Sequence, residues 1–224
     1  RVELHRLLKI QHDDFIIATV GSLIHRKGID LIIAAVPQLL AQGIPVHLLI
    51  IGDGTEANNL KRQVKSLGLQ KNVTFMGEQH NVIGLLRGGV DLFVSAAREE
   101  AFGLVFAEAS LAGIGIVAPA VGGITDIVID GKTGMLIPPE NIDALAGAIR
   151  KLYLKPALRT AMGKAGQQHI LSHFSIEKNC RNFEQLYSNI LNIPAPHLPW
   201  YKNWPRYFSL VNGCKRFIIR KVNS

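Results

Sequence analysis

The chain has 224 residues, of which 48% are apolar, and a formal net charge of +8. That apolar fraction excludes intrinsic disorder and suits one ordinary α/β domain with a sizeable core. The charge is uneven: residues 194–224 hold six bases and no acid, which leaves 19 bases against 17 acids elsewhere, so the globular part carries no basic stripe and a nucleic-acid partner is not expected.

Cys180 and Cys214 lie far apart with no CxxC or Cys/His cluster beside them. This spacing excludes a disulfide scaffold and a structural zinc site, and reduced thiols fit a cytoplasmic protein. No apolar run reaches the roughly 18 residues of a membrane span. Residues 1–6 lack the apolar core of a signal peptide.

In chain order, Phe15–Val20 reads as a buried strand ending at Gly21, and Ile29–Ala41 as a helix stopping before Gly43. Val46–Ile51 is a second strand closed by Gly52-Asp53-Gly54, followed by a helix over Glu56–Leu67 and Gly68. A third strand, Val73–Met76, precedes a helix near Val82–Leu86. Asp91–Ser95 is the fourth strand, Phe102–Ala112 the next helix, and Ile114–Ala118 the fifth strand. Met135–Ile137 makes a short sixth, after which only helices follow, at Ile142–Tyr153, Pro156–His169 and Ser175–Ile190. The strands are continuous β-branched runs, as expected when both sheet faces are covered. Strand–helix alternation at this spacing predicts a doubly wound parallel sheet of six strands with right-handed crossovers, followed by C-terminal helices.

In such a sheet ligands lie beyond the carboxyl ends of the strands, so the loops there carry the candidate chemistry. The first, Gly21-Ser22-Leu23-Ile24-His25-Arg26-Lys27-Gly28, is neither GxGxxG nor a P-loop. Its Arg26-Lys27 pair either reaches an anion at the strand ends or is a solvated basic pair. In the loop after strand 4, Glu99-Glu100 precede Phe102-Gly103, which open an apolar helix. A helix N-terminus carries unpaired N–H groups and partial positive charge, and Gly103 lets a phosphate approach the backbone. Glu108 is the one charged residue between positions 101 and 125. A carboxylate among apolar neighbours needs hydrogen-bond donors, which a ribose cis-diol supplies; the alternative is a single wet stripe on the helix. Glu100 suits sugar hydroxyls or positive charge developing at an anomeric carbon, or else it compensates the helix dipole. Gly122-Gly123 before a further helix reads as another concavity of backbone donors. The loop from Gly77 to His80 offers backbone groups to a base, with His80 itself a surface residue.

Taken together, Val20-Gly21-x-Leu23…Lys27-Gly28, Leu49-Ile-Ile-Gly52-Asp-Gly54, Glu100-x7-Glu108, Gly122-Gly-Ile-x-Asp126 and Asp130-Gly-x-Thr-Gly134 with Pro138-Pro139 resemble the C-terminal domain of the family-4 retaining glycosyltransferases of GT-B fold. The resemblance covers roughly residues 12–190. It implies a site for a nucleoside-diphosphate sugar that works without metal or other cofactor. Lys27, with Arg26, Ser22, Gly103, Leu104 and Val105, would hold the donor phosphates, and Glu108 the ribose. Glu100, Phe102 and Gly103 would meet the donor sugar, Glu100 and Lys27 serving as catalytic residues. Met76 and Gly77 would flank the base. Ser22 stands where the family usually has Arg, Ala101 where it has Gly, and Asp126 where it often has Glu.

The same resemblance implies that an acceptor-binding N-terminal domain is missing, with residues 1–11 a remnant of the interdomain linker, 12–193 the donor domain and 194–224 a basic, aromatic tail. The chain alone would then bind donor weakly and transfer nothing. The tail reads either as a contact with an anionic membrane, giving a peripheral position at its inner face, or as a segment packed over the missing domain. Two rival readings are a degenerate, non-catalytic scaffold, favoured by Ser22 and Ala101, and a sugar-nucleotide epimerase of the same fold.

Overall fold

The computed structural model of the chain describes residues 13–174 and 176–192. Six strands, β1 (Phe15–Val20), β2 (Val46–Ile51), β3 (Val73–Gly77), β4 (Leu92–Val94), β5 (Gly115–Pro119) and β6 (Met135–Ile137), form one sheet in the order β3-β2-β1-β4-β5-β6. Every neighbouring pair is parallel. The helices are α1 (Ile29–Ala41), α2 (Ala57–Ser66), α3 (Val82–Arg87), α4 (Leu104–Leu111), α5 (Ile124–Ile127), α6 (Ile142–Leu154), α7 (Pro156–His173) and α8 (Ile176–Asn192). This is the expected doubly wound architecture.

The strands are apolar throughout because both faces are covered. β2, Val-His-Leu-Leu-Ile-Ile, is buried at all six positions, and its one polar residue, His47, meets the Thr74 hydroxyl through Nε2 at 2.9 Å. Alternate residues feed two cores. Phe15, Ile17, Leu48 and Ile50 pack with α1 and α6, while Ile16, Ala18, Leu49 and Ile51 pack with α3, α4, α5 and α7. α1 buries Ile29, Ile32, Ile33, Val36 and Leu39, one apolar stripe at helical spacing. Each such side chain contributes roughly 1.5–3 kcal/mol on burial.

β1 leads to β2 and β3 on one side, and the chain then returns to place β4 on the other. The crossovers therefore diverge between β1 and β4, and the loops after these strands flank the crevice. One correction concerns the helix there. The sequence pattern starts it at Phe102, but Gly103 is left-handed (φ 81°) and the helix begins at Leu104. Phe102 is an exposed loop residue.

The chain divides into two units between Ile176 and Glu177; all six strands belong to the first. Within α8, Phe183, Leu186, Tyr187 and Ile190 are half exposed, at the spacing of a single helical stripe. Cys180 on the same helix is a free, exposed thiol. The expected linker remnant 1–11 and the tail 194–224 lie outside the described residues.

Candidate functional site

The loops beyond the carboxyl ends of the strands are stitched to one another through their backbones. The N–H groups of Gly21, Leu23 and Gly52 donate to the carbonyls of Ile51, Asp53 and Gly77 at 3.0, 2.9 and 2.8 Å. Those of Arg98 and Gly123 donate to the carbonyls of Arg26 and Glu100 at 2.9 and 3.2 Å. Glycine permits this closeness: a Cβ on Gly28 would overlap the Ala96 carbonyl, and one on Gly122 the Glu100 carbonyl.

That last contact corrects the reading of Gly122-Gly123 as an open nest of donors. The Gly123 N–H already serves the Glu100 carbonyl, and a Cβ there would stand 2.8 Å from the Phe102 Cα. The following helix has only four residues. The two glycines are a seat for the Glu100–Phe102 loop.

Lys27 ends a 3-10 turn, His25–Lys27, which Gly28 closes in the left-handed region (φ 62°). Its Nζ donates to Glu100 Oε2 at 2.6 Å, with side chains 21% and 11% exposed. Two residues expected to serve separate parts of a donor thus face each other across the β1/β4 crevice. Ser22 and Arg26 are exposed on the same loop.

α4 starts beside this pair. No side chain caps it, and its first turn holds no acid, so the N–H groups of Leu104 and Val105 have no intrahelical partner. Phe102 and Leu104, 49% and 68% exposed, form an apolar lip at the helix start. Glu108 is one turn further on, in line with Leu104, and is partly exposed. Its helix neighbours Val105, Ala107, Leu111 and Ala112 are apolar and pack against the core, but only Phe106, Ala109 and Ser110 of α4 are fully buried, so the carboxylate lies on the helix's open side. Among the described residues no side chain pairs with the Glu108 carboxylate.

Met76 and Gly77 end β3, the edge strand, about 14 Å from β4 at the usual strand spacing. Their carbonyls already accept hydrogen bonds, from Gln79 Nε2 at 2.8 Å and from Gly52 N–H. His80 is exposed.

Sequence reasoning overlooked Arg98. Its guanidinium grips Asp30 of α1 bidentately, NH1 to Oδ1 at 2.9 Å and NH2 to Oδ2 at 2.7 Å. NH1 also donates to the His25 carbonyl at 2.7 Å, and Nε to Glu140 Oε1 at 2.9 Å. Burial alone would raise the Asp30 carboxyl, but the Arg98 hydrogen bonds and charge outweigh it and hold the group below its ordinary value. The same hydrogen bonds to Asp30 raise Arg98 further. The partners lie 68 and 42 residues away in sequence; the one local signal was a base lodged between a buried Ala-Ala pair and two acids.

Among the described residues no cluster of three or more His, Cys, Asp or Glu side chains is arranged to hold a metal ion.

A fold of parallel strands with a switch point between β1 and β4 serves many unrelated functions, and comparison with known proteins narrows the class. The family described as Glycosyl transferases group 1 matches residues 1–169, and this chain belongs to that family. It is 30% identical over 167 residues to the GDP-mannose-dependent alpha-(1-6)-phosphatidylinositol monomannoside mannosyltransferase of Mycolicibacterium smegmatis, covering 71% of this chain and 44% of that protein. It is 28% identical over 181 residues to the lipopolysaccharide core biosynthesis mannosyltransferase LpcC of Rhizobium leguminosarum, covering 79% and 51%. The chain therefore spans about half the length of the curated relatives it matches. Among solved structures it is similar to Anabaena Alr3699/HepE in complex with UDP, at a TM-score of 0.76, 26% identity and coverage of 83% and 52%.

Proposed function

We propose that this chain is the donor-binding half of a retaining glycosyltransferase that takes a sugar from a nucleoside-diphosphate sugar. The observation that carries the reading is the 2.6 Å pairing of Lys27 with Glu100 beside the uncapped start of α4, at the switch point of a chain in the group 1 glycosyltransferase family. The UDP complex of the Anabaena protein and the GDP-mannose dependence of the mycolicibacterial relative support a nucleotide sugar as ligand.

In this reading the diphosphate lies across the crevice. Lys27 Nζ has three N–H groups, so it can share phosphate oxygens with Glu100 rather than surrender one for the other. The N–H groups of Leu104 and Val105 receive the remaining charge, and no metal takes part. Glu108, half open and without a side-chain partner among the described residues, accepts from the ribose hydroxyls. Glu100, with Phe102 and Gly103, meets the sugar. The nucleoside diphosphate leaves with the electron pair of the anomeric C–O bond, and Lys27 and α4 stabilise that developing charge in a prearranged electrostatic site. Transfer itself requires an acceptor-binding domain in addition to these 224 residues, and the acceptor is a glycan or a lipid-linked glycan.

Among the described residues no helix is long and apolar enough to cross a membrane. The six bases and six aromatics that residues 194–224 hold from Trp200 onward support a peripheral place at an anionic cytoplasmic surface. Ser22 and Ala101, each a departure from the family pattern, favour a second reading in which the domain is a non-catalytic scaffold. A thermal-shift screen with UDP, GDP and ADP separates the two: a donor domain is stabilised by at least one nucleotide, whereas a scaffold melts at the same temperature with all three.

A further inference from the structure

The residues assigned to the donor come from two loops that share no covalent neighbour. Lys27 is on the turn after β1, while Glu100 and the α4 start are on the loop after β4. Something must hold these loops in register before a ligand arrives, or the ordering cost falls on binding.

One side chain is shared between them. Arg98 stands two residues before Glu100, yet its hydrogen bonds go to the other loop and the helix behind it: NH1 to the His25 carbonyl at 2.7 Å and the guanidinium fork to Asp30 at 2.9 and 2.7 Å. Its backbone N–H adds a bond to the Arg26 carbonyl at 2.9 Å. The Lys27 turn is therefore gripped at His25 and Arg26 and, just beyond Gly28, at Asp30. A third loop joins through Nε, which donates to Glu140 at 2.9 Å. Glu140 is the one non-glycine residue with positive φ (55°) among those described. That conformation costs roughly 1–2 kcal/mol and persists where surrounding contacts impose it. Arg98 itself is only 16% exposed and has no bond directed at the crevice, so it is not placed to touch a ligand.

We propose that Arg98 is the positioning residue of the donor site, fastening the Lys27 turn to the Glu100 loop so that the phosphate and sugar contacts are prearranged. This rests on the donor-site reading above. Asp30 is its principal partner. A lysine would not replace it, since a point charge cannot fork across a carboxylate and reach a carbonyl as well.

The test uses the full chain and its Arg98→Ala, Arg98→Lys and Asp30→Asn variants. Two quantities are read: amide hydrogen exchange and calorimetric affinity for UDP and GDP. Exchange at Lys27, Gly28 and Gly123, whose N–H groups bond to Ile24, His25 and Glu100, is expected to rise about tenfold or more in Arg98→Ala. Exchange within β1 and β2 is expected to stay unchanged. Affinity for the nucleotide that binds is expected to weaken about tenfold in Arg98→Ala and nearly as much in Arg98→Lys, with Asp30→Asn intermediate. Unaltered exchange at the three loop amides overturns the proposal, as does an equal rise throughout the sheet, which marks a general loss of stability. Asp30→Asn retains the arginine and gives the same reading should Arg98→Ala fold poorly. If exchange responds as expected but the unaltered chain binds neither nucleotide, the donor-site reading fails while the fastening of the two loops stands.

Discussion

Each edge of the sheet holds one largely buried arginine paired with an aspartate, and the two pairs differ in what they leave free. At the amino edge, Arg159 of α7 lies 3.6 Å from Asp91 and 4.9 Å above the Phe15 ring, and donates to the Leu152 carbonyl at 3.0 Å. Asp91 in turn accepts from the Ile16 N–H at 3.0 Å. These partners, the Phe15 ring, the Leu152 carbonyl and the Ile16 N–H, all belong to the sheet and its covering helices. At the carboxyl edge, Arg98 binds Asp30, Glu140 and a carbonyl, but around it stand Lys27 facing Glu100, an uncapped helix start, and exposed Phe102 and Leu104. The same kind of pair sits among core-covering groups at one edge and beside the Lys27–Glu100 pair and the start of α4 at the other. In a parallel sheet the carboxyl edge is where function is expected, and here the polar inventory draws the distinction without reference to topology.

Substitutions at the two edges should have different consequences. The largest effect is expected from the glycines that let the carboxyl-edge loops interlock. Gly122→Ala sets a Cβ against the Glu100 carbonyl at φ +47°, which should cost about 3 kcal/mol and lower the midpoint of a calorimetric melt by roughly 6–12 °C. Gly43 has φ +75° but open space around it, so Gly43→Ala should cost only about 1–2 kcal/mol. Next comes Arg159→Ala, which removes the charge 3.6 Å from Asp91 and the bond to the Leu152 carbonyl and should cost about 2 kcal/mol in urea unfolding. It should leave nucleotide affinity as it was, whereas a parallel fall in affinity would erase the difference between the edges.

Smaller effects concern the two glutamates. Glu108→Ala should weaken nucleoside diphosphate and nucleotide sugar alike, by about tenfold each in titration calorimetry. Glu100→Ala should weaken the nucleotide sugar alone, and it releases Lys27 for the phosphates, so the bare diphosphate binds unchanged or tighter. The opposite pattern would exchange the two roles. The smallest effect is in acid. The Asp30 carboxyl is held below its ordinary value of 3.8, so its contribution to stability is present above that pH and fades as the pH falls through the lowered folded value. Melts between about pH 5 and 3 should show a shallower acid loss in Asp30→Asn than in the unaltered chain.

Local signals made much of the fold legible. β1, α1, β2 and β6 have the ends read from the sequence, because Gly21, Gly43 and Gly52 punctuate the apolar runs. Errors arose where a conformation, not a composition, decided. Phe102 looks like a helix residue by its apolarity, yet the left-handed Gly103 delays α4 to Leu104. α7 runs to His173, beyond the expected end at His169, since no glycine or proline marks a stop there. In the site, the family motifs picked out the loops. They did not reveal that Lys27 and Glu100, 73 residues apart, pair directly. Nor did they show that Gly122-Gly123 is a packing seat or that Arg98 joins the loops. Pairings over such separations leave no periodic trace in a single chain.

In the proposed reading the crevice between β1 and β4 grips a nucleoside diphosphate through Lys27. It is tested most directly by titrating UDP and GDP into the unaltered chain and into Lys27→Ala, by calorimetry with a chelator present. Saturable one-to-one binding of at least one nucleotide, weakened about tenfold to a hundredfold by the substitution, is the predicted result. Binding that the substitution leaves untouched, or none by either nucleotide, would mean that Lys27 does not hold a diphosphate in this crevice.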